Sequence, residues 1–222
     1  MAFPYSLTTQ AGQYLAGIGG VAASSALYVV AGGGNNARDA LAAVAGGADL
    51  FGTAASFAAA FANDIGAIVD QLQAAGARHI IVWDTPDLGR APAVTVAGGA
   101  SSFAGAFVAT AMNNALALRL AGESDVAMFD LYGLTDALAD DPSAHGFTNA
   151  ADACGAVAGA DCSKYVYWDG IHPTAAGHLA IAGAMYQLAV PVPEPDTCVL
   201  LAFGLVAVAW TARRRAKAGE AA

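Results

Sequence analysis

The stretch HIIVWDTPDLGRAP, residues 79–92, joins an apolar run to a polar loop. Four of its first five residues are β-branched or aromatic, with little alternation, a pattern typical of a strand that is covered on both faces. Two similar runs, ALYVVA at 26–31 and DVAMFD at 125–130, predict two more strands. Long segments with helical spacing lie between them, at 48–76 and 102–124. This alternation predicts an α/β fold with a parallel sheet and helices on both faces, in three layers.

The composition supports one domain, predicted over residues 1–190, with an appendage. The chain has 222 residues, 57% of them hydrophobic, which is enough for a sizeable core. Residues 1–196 carry five Lys and Arg against 17 Asp and Glu, a net charge of −12. Residues 213–222 carry four basic residues and one acid, a net charge of +3. The acidic body argues against a nucleic-acid partner, since nucleic-acid binding needs a basic face.

The C-terminal appendage combines a linker, an apolar span and a basic cluster. Residues 191–196 are rich in Pro, and Thr197–Ala212 follows without a charged residue. As a helix these 16 residues span about 24 Å, somewhat less than the ~30 Å hydrocarbon core. The basic residues at 213–217 predict a transmembrane helix with a cytoplasmic C-terminus. The alternative is a buried core helix with a solvated basic end, although a core helix would normally show a polar face.

Polar segments follow the predicted strands and mark a candidate site. They are GGGNNARD at 32–39, DTPDLGRAP at 84–92 and DLYG at 130–133. In parallel sheets the ligand binds outside the carboxyl ends of the strands, so these segments should converge there. The segment YWDGIHPTAAGHLA, residues 167–180, precedes a last predicted helix at 175–189.

Asp169 and His172 in that segment could form a catalytic pair. A carboxylate that accepts one ring N–H fixes the tautomer of a histidine and aims its other nitrogen outward. Pro173 stiffens the turn, and Thr174 can cap the following helix. The alternative is an ordinary Asx-turn with His172 at the surface. A metal site that adds His178 is a further alternative, but its spacing fits no common pattern.

The glycine-rich segment and the cysteines each leave two interpretations open. The GGGNN segment could place an Asn amide near an oxyanion, or it could be a glycine loop with Asn35 or Asn36 in a left-handed conformation. Cys154 and Cys162 lie eight residues apart in a Gly/Ala-rich stretch. If the body is exported, a disulfide is the natural expectation. The rival is a metal pair, for which no further ligand stands at zinc-like spacing nearby.

Taken in order, these segments resemble the GDSL, or SGNH, family of esterases and lipases, in its lecithinase/hemolysin-like branch. The resemblance covers roughly residues 5–190 and implies a flavodoxin-like sheet. YVVAGGGNN is similar to the block that carries an oxyanion-hole Asn, which places that role on Asn35, while Asn36 stands where the family usually has Asp. DGIHPT matches the last block and implies that Asp169 and His172 are catalytic.

The family's first two blocks, which carry the Gly-Asp-Ser nucleophile and a Gly oxyanion donor, have no match in this sequence. None of the serines follows Gly-Asp: Ser6, Ser24, Ser25, Ser56, Ser101, Ser102, Ser124, Ser143 and Ser163. The N-terminus also lacks the basic and apolar regions of a signal peptide. We therefore expect that the first strands and the nucleophile lie upstream, and that this chain alone is inactive.

The GDSL resemblance implies a hydrolase of carboxylic or lipid esters that uses a Ser-His-Asp mechanism, and it implies no metal or organic cofactor. Export is implied by a second resemblance, at the C-terminus. The alternative is a catalytically inactive surface protein that acts by binding or display. The C-terminal segment resembles a PEP-CTERM sorting signal: Pro193-Glu194-Pro195 is followed by the apolar span and the Arg cluster, which together occupy 197–217. This resemblance implies initial anchoring in the inner membrane and processing by an exosortase-type protease.

Overall fold

A computed structural model describes residues 5–189 and residue 205. The chain divides into two units, Met1–Met185 and Tyr186–Ala222, and both β-sheets lie in the first unit. The predicted linker at 191–196 lies outside the described residues, as does the predicted transmembrane helix at 197–212 except for residue 205.

The described residues alternate between strands and helices. The strands are β1 Leu27–Val30, β2 His79–Trp83, β3 Val126–Phe129, β4 Asn149–Ala153 and β5 Tyr165–Tyr167. The helices are α1 Leu7–Gly17, α2 Gly34–Ala45, α3 Leu50–Ala74, α4 Pro92–Thr95, α5 Gly99–Leu120, α6 Leu131–Asp140 and α7 Ala175–Ala189.

The first three strands form a parallel sheet in the order β1-β2-β3. Leu27 pairs with His79, and Ile80 pairs with Val126. The predicted parallel sheet is therefore confirmed, and each of its strands lies inside the apolar run that predicted it. Parallel neighbours need crossovers of a dozen or more residues, which α2 with α3 and α4 with α5 supply in this chain.

One face of the sheet is covered by α3 and α5, which pack closely on each other. The side chain of Asp49 starts α3 by accepting the Gly52 N–H at 2.6 Å, as an N-cap residue does. The buried side chains of this layer form one continuous cluster with the sheet, including Phe61, Ile65, Val69, Ile80, Val82, Val108, Met112 and Leu116.

The other face of the sheet is covered unevenly. Trp83 alternates with Val82 along β2 and so points to the opposite face, where its indole Nε1 lies 3.2 Å from Met185 Sδ of α7. Helices therefore contact both faces. Over β1, however, Leu27 and Val29 of this second face remain 47% and 43% exposed. The α7 face is consequently left open at β1.

A second, smaller sheet pairs β4 with β5 in parallel. It encloses its own buried cluster of Leu138, Phe147, Ala150, Val166 and Tyr167. The sequence did not predict this sheet or α6. The strand NAADA contains mainly Ala and polar residues, which have low strand propensity.

Among residues 5–189, α3 has the length and apolar composition that a membrane span requires. It contributes nine buried residues and packs in the core against the sheet and α5. Its apolar character is therefore accounted for by its packing against α5 and the sheet.

Candidate active site

Asp169 and His172 contact each other in a tight loop between β5 and α7. Asp169 Oδ1 accepts the backbone N–H groups of Ile171 at 2.8 Å and His172 at 2.7 Å. Asp169 Oδ2 lies 2.8 Å from His172 Nδ1. The carboxylate thus organises the loop through one oxygen and holds the imidazole through the other.

The ends of this loop are fastened to the small sheet and to α7. Trp168 N–H donates to the His172 carbonyl at 2.8 Å, and Thr174 N–H donates to the Val166 carbonyl at 2.8 Å. The Thr174 hydroxyl donates to the Tyr165 carbonyl and accepts the Gly177 N–H, as a helix cap does. The imidazole is therefore carried on a loop whose backbone is fixed on both sides.

Hydrogen bonds hold the Asp169 carboxyl in its charged form. The backbone N–H of His172, the His172 ring and the backbone N–H of Ile171 together lower the pKa of Asp169 to about 2. An ionised carboxylate accepts a hydrogen bond from Nδ1–H, and in that tautomer Nε2 is the unprotonated nitrogen that can act as a base. The His172 side chain is 68% exposed, so Nε2 is open to a reacting group.

The dyad loop lies at the carboxyl rim of the main sheet. Gly170 O accepts the N–H of Ala93 at 2.9 Å, and Ala93 belongs to α4, which follows the carboxyl end of β2. Asn35 is on the same rim, in the first turn of the helix that follows β1. The described contacts bring Asp169 and His172 together, but they include none between this pair and Asn35.

The structure contradicts the alternative in which GGGNN is a glycine loop with Asn35 or Asn36 in a left-handed conformation, because both residues are helical. Gly33, with φ 97°, ends the extended segment, and α2 begins at Gly34 without a side-chain cap. A Cβ on Gly33 would lie 2.7 Å from Phe61 and 2.9 Å from Thr85 Oγ1. Asn35 is thus an exposed residue in the first turn of a helix, with the uncapped N–H groups of that turn beside it.

Asp84 is a buried carboxyl at the same rim that sequence reasoning did not single out. Its Oδ1 accepts the N–H groups of Leu131 at 2.7 Å and Tyr132 at 2.9 Å, which begin α6. Burial, with Asp130 adding a smaller contribution, raises the pKa of Asp84 to about 6. The signal available in the sequence was its position directly after an apolar strand.

Neighbouring polar groups fasten the loop after β2. Asn113 of α5 holds the Thr85 backbone with two hydrogen bonds, of 2.7 and 2.8 Å. Arg90 lies 3.0 Å from Asp136 and 2.8 Å from Asp140, which ties the loop to α6. These interactions fix the loop after β2 against α5 and α6, and we assign them a structural role.

The structure also bears on the cysteines, the metal alternative and the serines. Cys154 and Cys162 are joined by a disulfide, with their Cα atoms 5.5 Å apart. Within residues 5–189 the structure holds no cluster of three His, Cys, Asp or Glu side chains suited to a metal ion. In that part of the chain no serine hydroxyl is hydrogen-bonded to His172. The residues Pro193, Glu194 and Pro195 lie outside the described residues.

Comparison with known protein families gives two matches. A model described as GDSL-like lipase/acylhydrolase matches residues 6–185. A model of the PEP-CTERM protein-sorting motif matches residues 191–215. No curated protein matches the chain. The first match covers both sheets and the dyad loop, and the second covers the segment with the predicted linker, apolar span and Arg residues.

Proposed function

Since the chain belongs to the GDSL-like lipase/acylhydrolase family, we propose that it is an exported ester hydrolase in which His172 is the general base and Asp169 orients it. The family assigns the chain to hydrolases that act on esters. The observation that best supports the residue roles is the 2.8 Å contact between His172 Nδ1 and Asp169 Oδ2. It leaves an exposed Nε2 on a rigid loop at the rim where α/β proteins bind ligands.

The reaction follows from the free imidazole nitrogen. Nε2 of His172 takes the proton of a serine hydroxyl as its oxygen attacks the ester carbonyl. The carbonyl oxygen becomes an oxyanion, to which the Asn35 side-chain amide donates a hydrogen bond. Collapse breaks the ester C–O bond, and the leaving alcohol takes the proton from Nε2. Water then repeats these steps on the acyl-serine and releases the acid.

We place the nucleophilic serine on a segment upstream of this chain that pairs with β1. Within residues 5–189, β1 pairs with β2 alone. Leu27 and Val29 of β1 are nearly half exposed on the α7 face. An additional strand with a following helix would bury that edge and that face, and unpaired apolar edges are otherwise an aggregation hazard.

The sorting motif supports a location for the proposed reaction. A PEP-CTERM signal supports export to the cell envelope and processing by an exosortase. We propose that residues 197–212 anchor the chain in the inner membrane until that processing, with the domain at 1–190 on the outer side. The substrate is a small ester or lipid, and no metal or organic cofactor is assigned.

A second function is that of a surface protein with a retained hydrolase fold and no catalysis. Two observations favour it: within residues 5–189 His172 has no serine partner, and Asn36 stands where the resembling block carries Asp. The two functions differ in what lies upstream of the gene. An in-frame Gly-Asp-Ser segment with a signal peptide supports the enzyme, and a stop codon supports the display protein.

Hydrolysis of p-nitrophenyl butyrate tests the proposal. The 222-residue chain should be inactive, and the chain extended upstream through Gly-Asp-Ser should be active. Replacing His172 by Ala in the extended chain should lower turnover by about 10⁶-fold, the typical effect of losing the nucleophile or base of such a triad. His178→Ala is the matched control, because His178 is exposed on α7, and it should retain activity. Robust turnover by the 222-residue chain that survives His172→Ala would contradict the assignment.

A further inference from the structure

A cavity of about 340 Å³ lies beside the dyad loop. It is lined by Cys162, Ser163, Trp168, Pro173, Thr174, Ala175 and Ala176. Trp168 and Pro173 flank the two catalytic candidates in sequence, and Trp168 N–H donates to the His172 carbonyl at 2.8 Å. The cavity and the imidazole are therefore carried by the same short segment of backbone.

The side chains of the lining offer a ligand few free hydrogen-bonding groups. It contains no charged side chain. The Ser163 hydroxyl is hydrogen-bonded to Asp161 at 2.7 Å, and the Thr174 hydroxyl is engaged with Tyr165 O and Gly177 N. What remains is an indole ring, a prolyl ring, two alanine methyl groups and a disulfide sulfur. Such a surface favours hydrocarbon over polar groups.

Trp168 is the largest side chain of this lining, and its backbone is hydrogen-bonded on both sides. It is 53% exposed, so it has apolar surface left to bury. Its carbonyl accepts the Gly155 N–H at 2.8 Å, and a Cβ on Gly155 would lie 3.4 Å from the indole ring. The disulfide joins Cys154, which precedes Gly155, to Cys162 of the lining.

We propose that this cavity binds the hydrocarbon chain of the ester, with Trp168 as its main contact. The inference rests on the proposed function only in naming the ligand as part of an ester. Binding of a hydrocarbon chain at Trp168 needs neither the serine nor a reactive His172, so it is measured separately from catalysis.

Titration of the chain with 1-octanol tests the cavity. Tryptophan emission should shift to shorter wavelength in a saturable way, and the shift should disappear in Trp168→Phe, which leaves Trp83 and Trp210 as reporters. By calorimetry, Trp168→Ala should bind octanol about tenfold more weakly, the factor expected when much of one aromatic contact is lost. Phe103→Ala removes an exposed aromatic outside the lining and should change the affinity less than twofold.

The hydrocarbon chain could belong to the acyl group or to the alcohol group of the ester. Kinetics of the active, extended enzyme distinguish these two cases. If the cavity holds the acyl chain, Trp168→Ala should lower kcat/KM for p-nitrophenyl octanoate about tenfold and leave p-nitrophenyl acetate unchanged. If it holds the alcohol chain, the same loss should fall on octyl acetate relative to ethyl acetate. Absence of saturable octanol binding, or equal affinity in Trp168→Ala, would overturn the inference even where esterase activity is present. Octanol binding by an extended chain that contains Gly-Asp-Ser but shows no esterase activity would instead support the cavity and contradict the proposed function.

Discussion

At the scale of single residues, Asp169 fixes the loop backbone with one carboxylate oxygen and contacts the His172 ring with the other. Oδ1 accepts two backbone N–H groups and Oδ2 accepts from the His172 ring. These bonds lower the pKa of Asp169 to about 2. The group therefore stays ionised at any pH where an esterase would work, and a loss of activity in mild acid would have to come from another group.

Asp169→Asn should lower kcat/KM of the active, extended enzyme by about 10²- to 10⁴-fold, and less than His172→Ala does. One amide oxygen can still accept the two backbone N–H groups, so the loop keeps its shape. The amide nitrogen then faces His172 Nδ1 as a donor and favours the tautomer in which Nε2 carries the proton. Steady-state kinetics on p-nitrophenyl butyrate measure the effect, and an Asn variant with wild-type kcat/KM would contradict the role of Asp169.

Asp84 should make stability depend on pH in the opposite sense to Asp169. Its pKa is raised from 3.8 to about 6, so between these values the folded state binds more protons than the unfolded state. The free energy of unfolding should then rise as the pH falls from about 6 towards 4, and this contribution is lost as the pH rises through 6.

Urea denaturation at pH 7 and pH 5 tests this expectation. The wild-type chain should gain about 1–2 kcal/mol on acidification relative to Asp84→Asn, which has no charge to bury. Asp64→Asn, an exposed change on α3, should behave as wild type. Identical pH dependence in wild type and Asp84→Asn would show that the carboxyl does not titrate in this window.

At the scale of elements, the disulfide closes a short loop between β4 and β5. Removing it with Cys154→Ser and Cys162→Ser should lower the free energy of unfolding by about 2–3 kcal/mol. Hydrogen exchange should locate the loss in the small sheet, because β4 and β5 flank the two cysteines.

Mass mapping of a non-reduced digest provides the matching chemical test. It should yield one linked peptide pair containing Cys154 and Cys162, with Cys198 alkylatable. Two alkylatable thiols in the β4–β5 loop of exported protein would contradict the pairing.

The junction between β1 and α2 should tolerate no side chain at Gly33. Its φ of 97° and the closeness of Phe61 and Thr85 mean that Gly33→Ala adds both backbone strain and overlap. We expect a loss of about 2–4 kcal/mol in denaturant titrations. Gly34→Ala, where a Cβ would meet no atom within 4 Å, is the matched control and should be neutral or stabilising. Equal stability of the two variants would mean that the junction rearranges.

At the scale of the whole molecule, charge determines the expected topology in the membrane. The basic residues at 213–217 resist translocation, so residues 1–192 should lie outside the cytoplasm and Arg213–Lys217 inside. Reporters fused at each end of the protein measure this arrangement. Cytoplasmic activity of a reporter fused to the N-terminus would contradict this arrangement.

Short-range patterns predicted much of this architecture. The three strands of the main sheet, α3, α5 and α7 each have a periodic or continuous apolar signal of their own. The Asp169–His172 contact also forms within four residues, through an Asx-turn that needs no distant partner. For the same reason the disulfide could be predicted from two cysteines eight residues apart.

Other features could not be predicted because their causes lie far apart in the chain. Asp130 caps α6 locally, but the first N–H group of the helix, that of Leu131, donates to Asp84, 47 residues earlier. The Thr85 backbone is likewise held by Asn113, 28 residues later. The helix at Gly34 begins without a capping side chain, so no local signal marked it. The cavity at Trp168 exists only because the cysteine loop, the dyad loop and α7 meet. Periodicity and turn chemistry act over a few residues and determined the strands, the main helices and the dyad. The hydrogen bonds of Asp84 and Asn113 at the rim, and the cavity at Trp168, depend on contacts between distant segments. Only the folded chain brings those segments together.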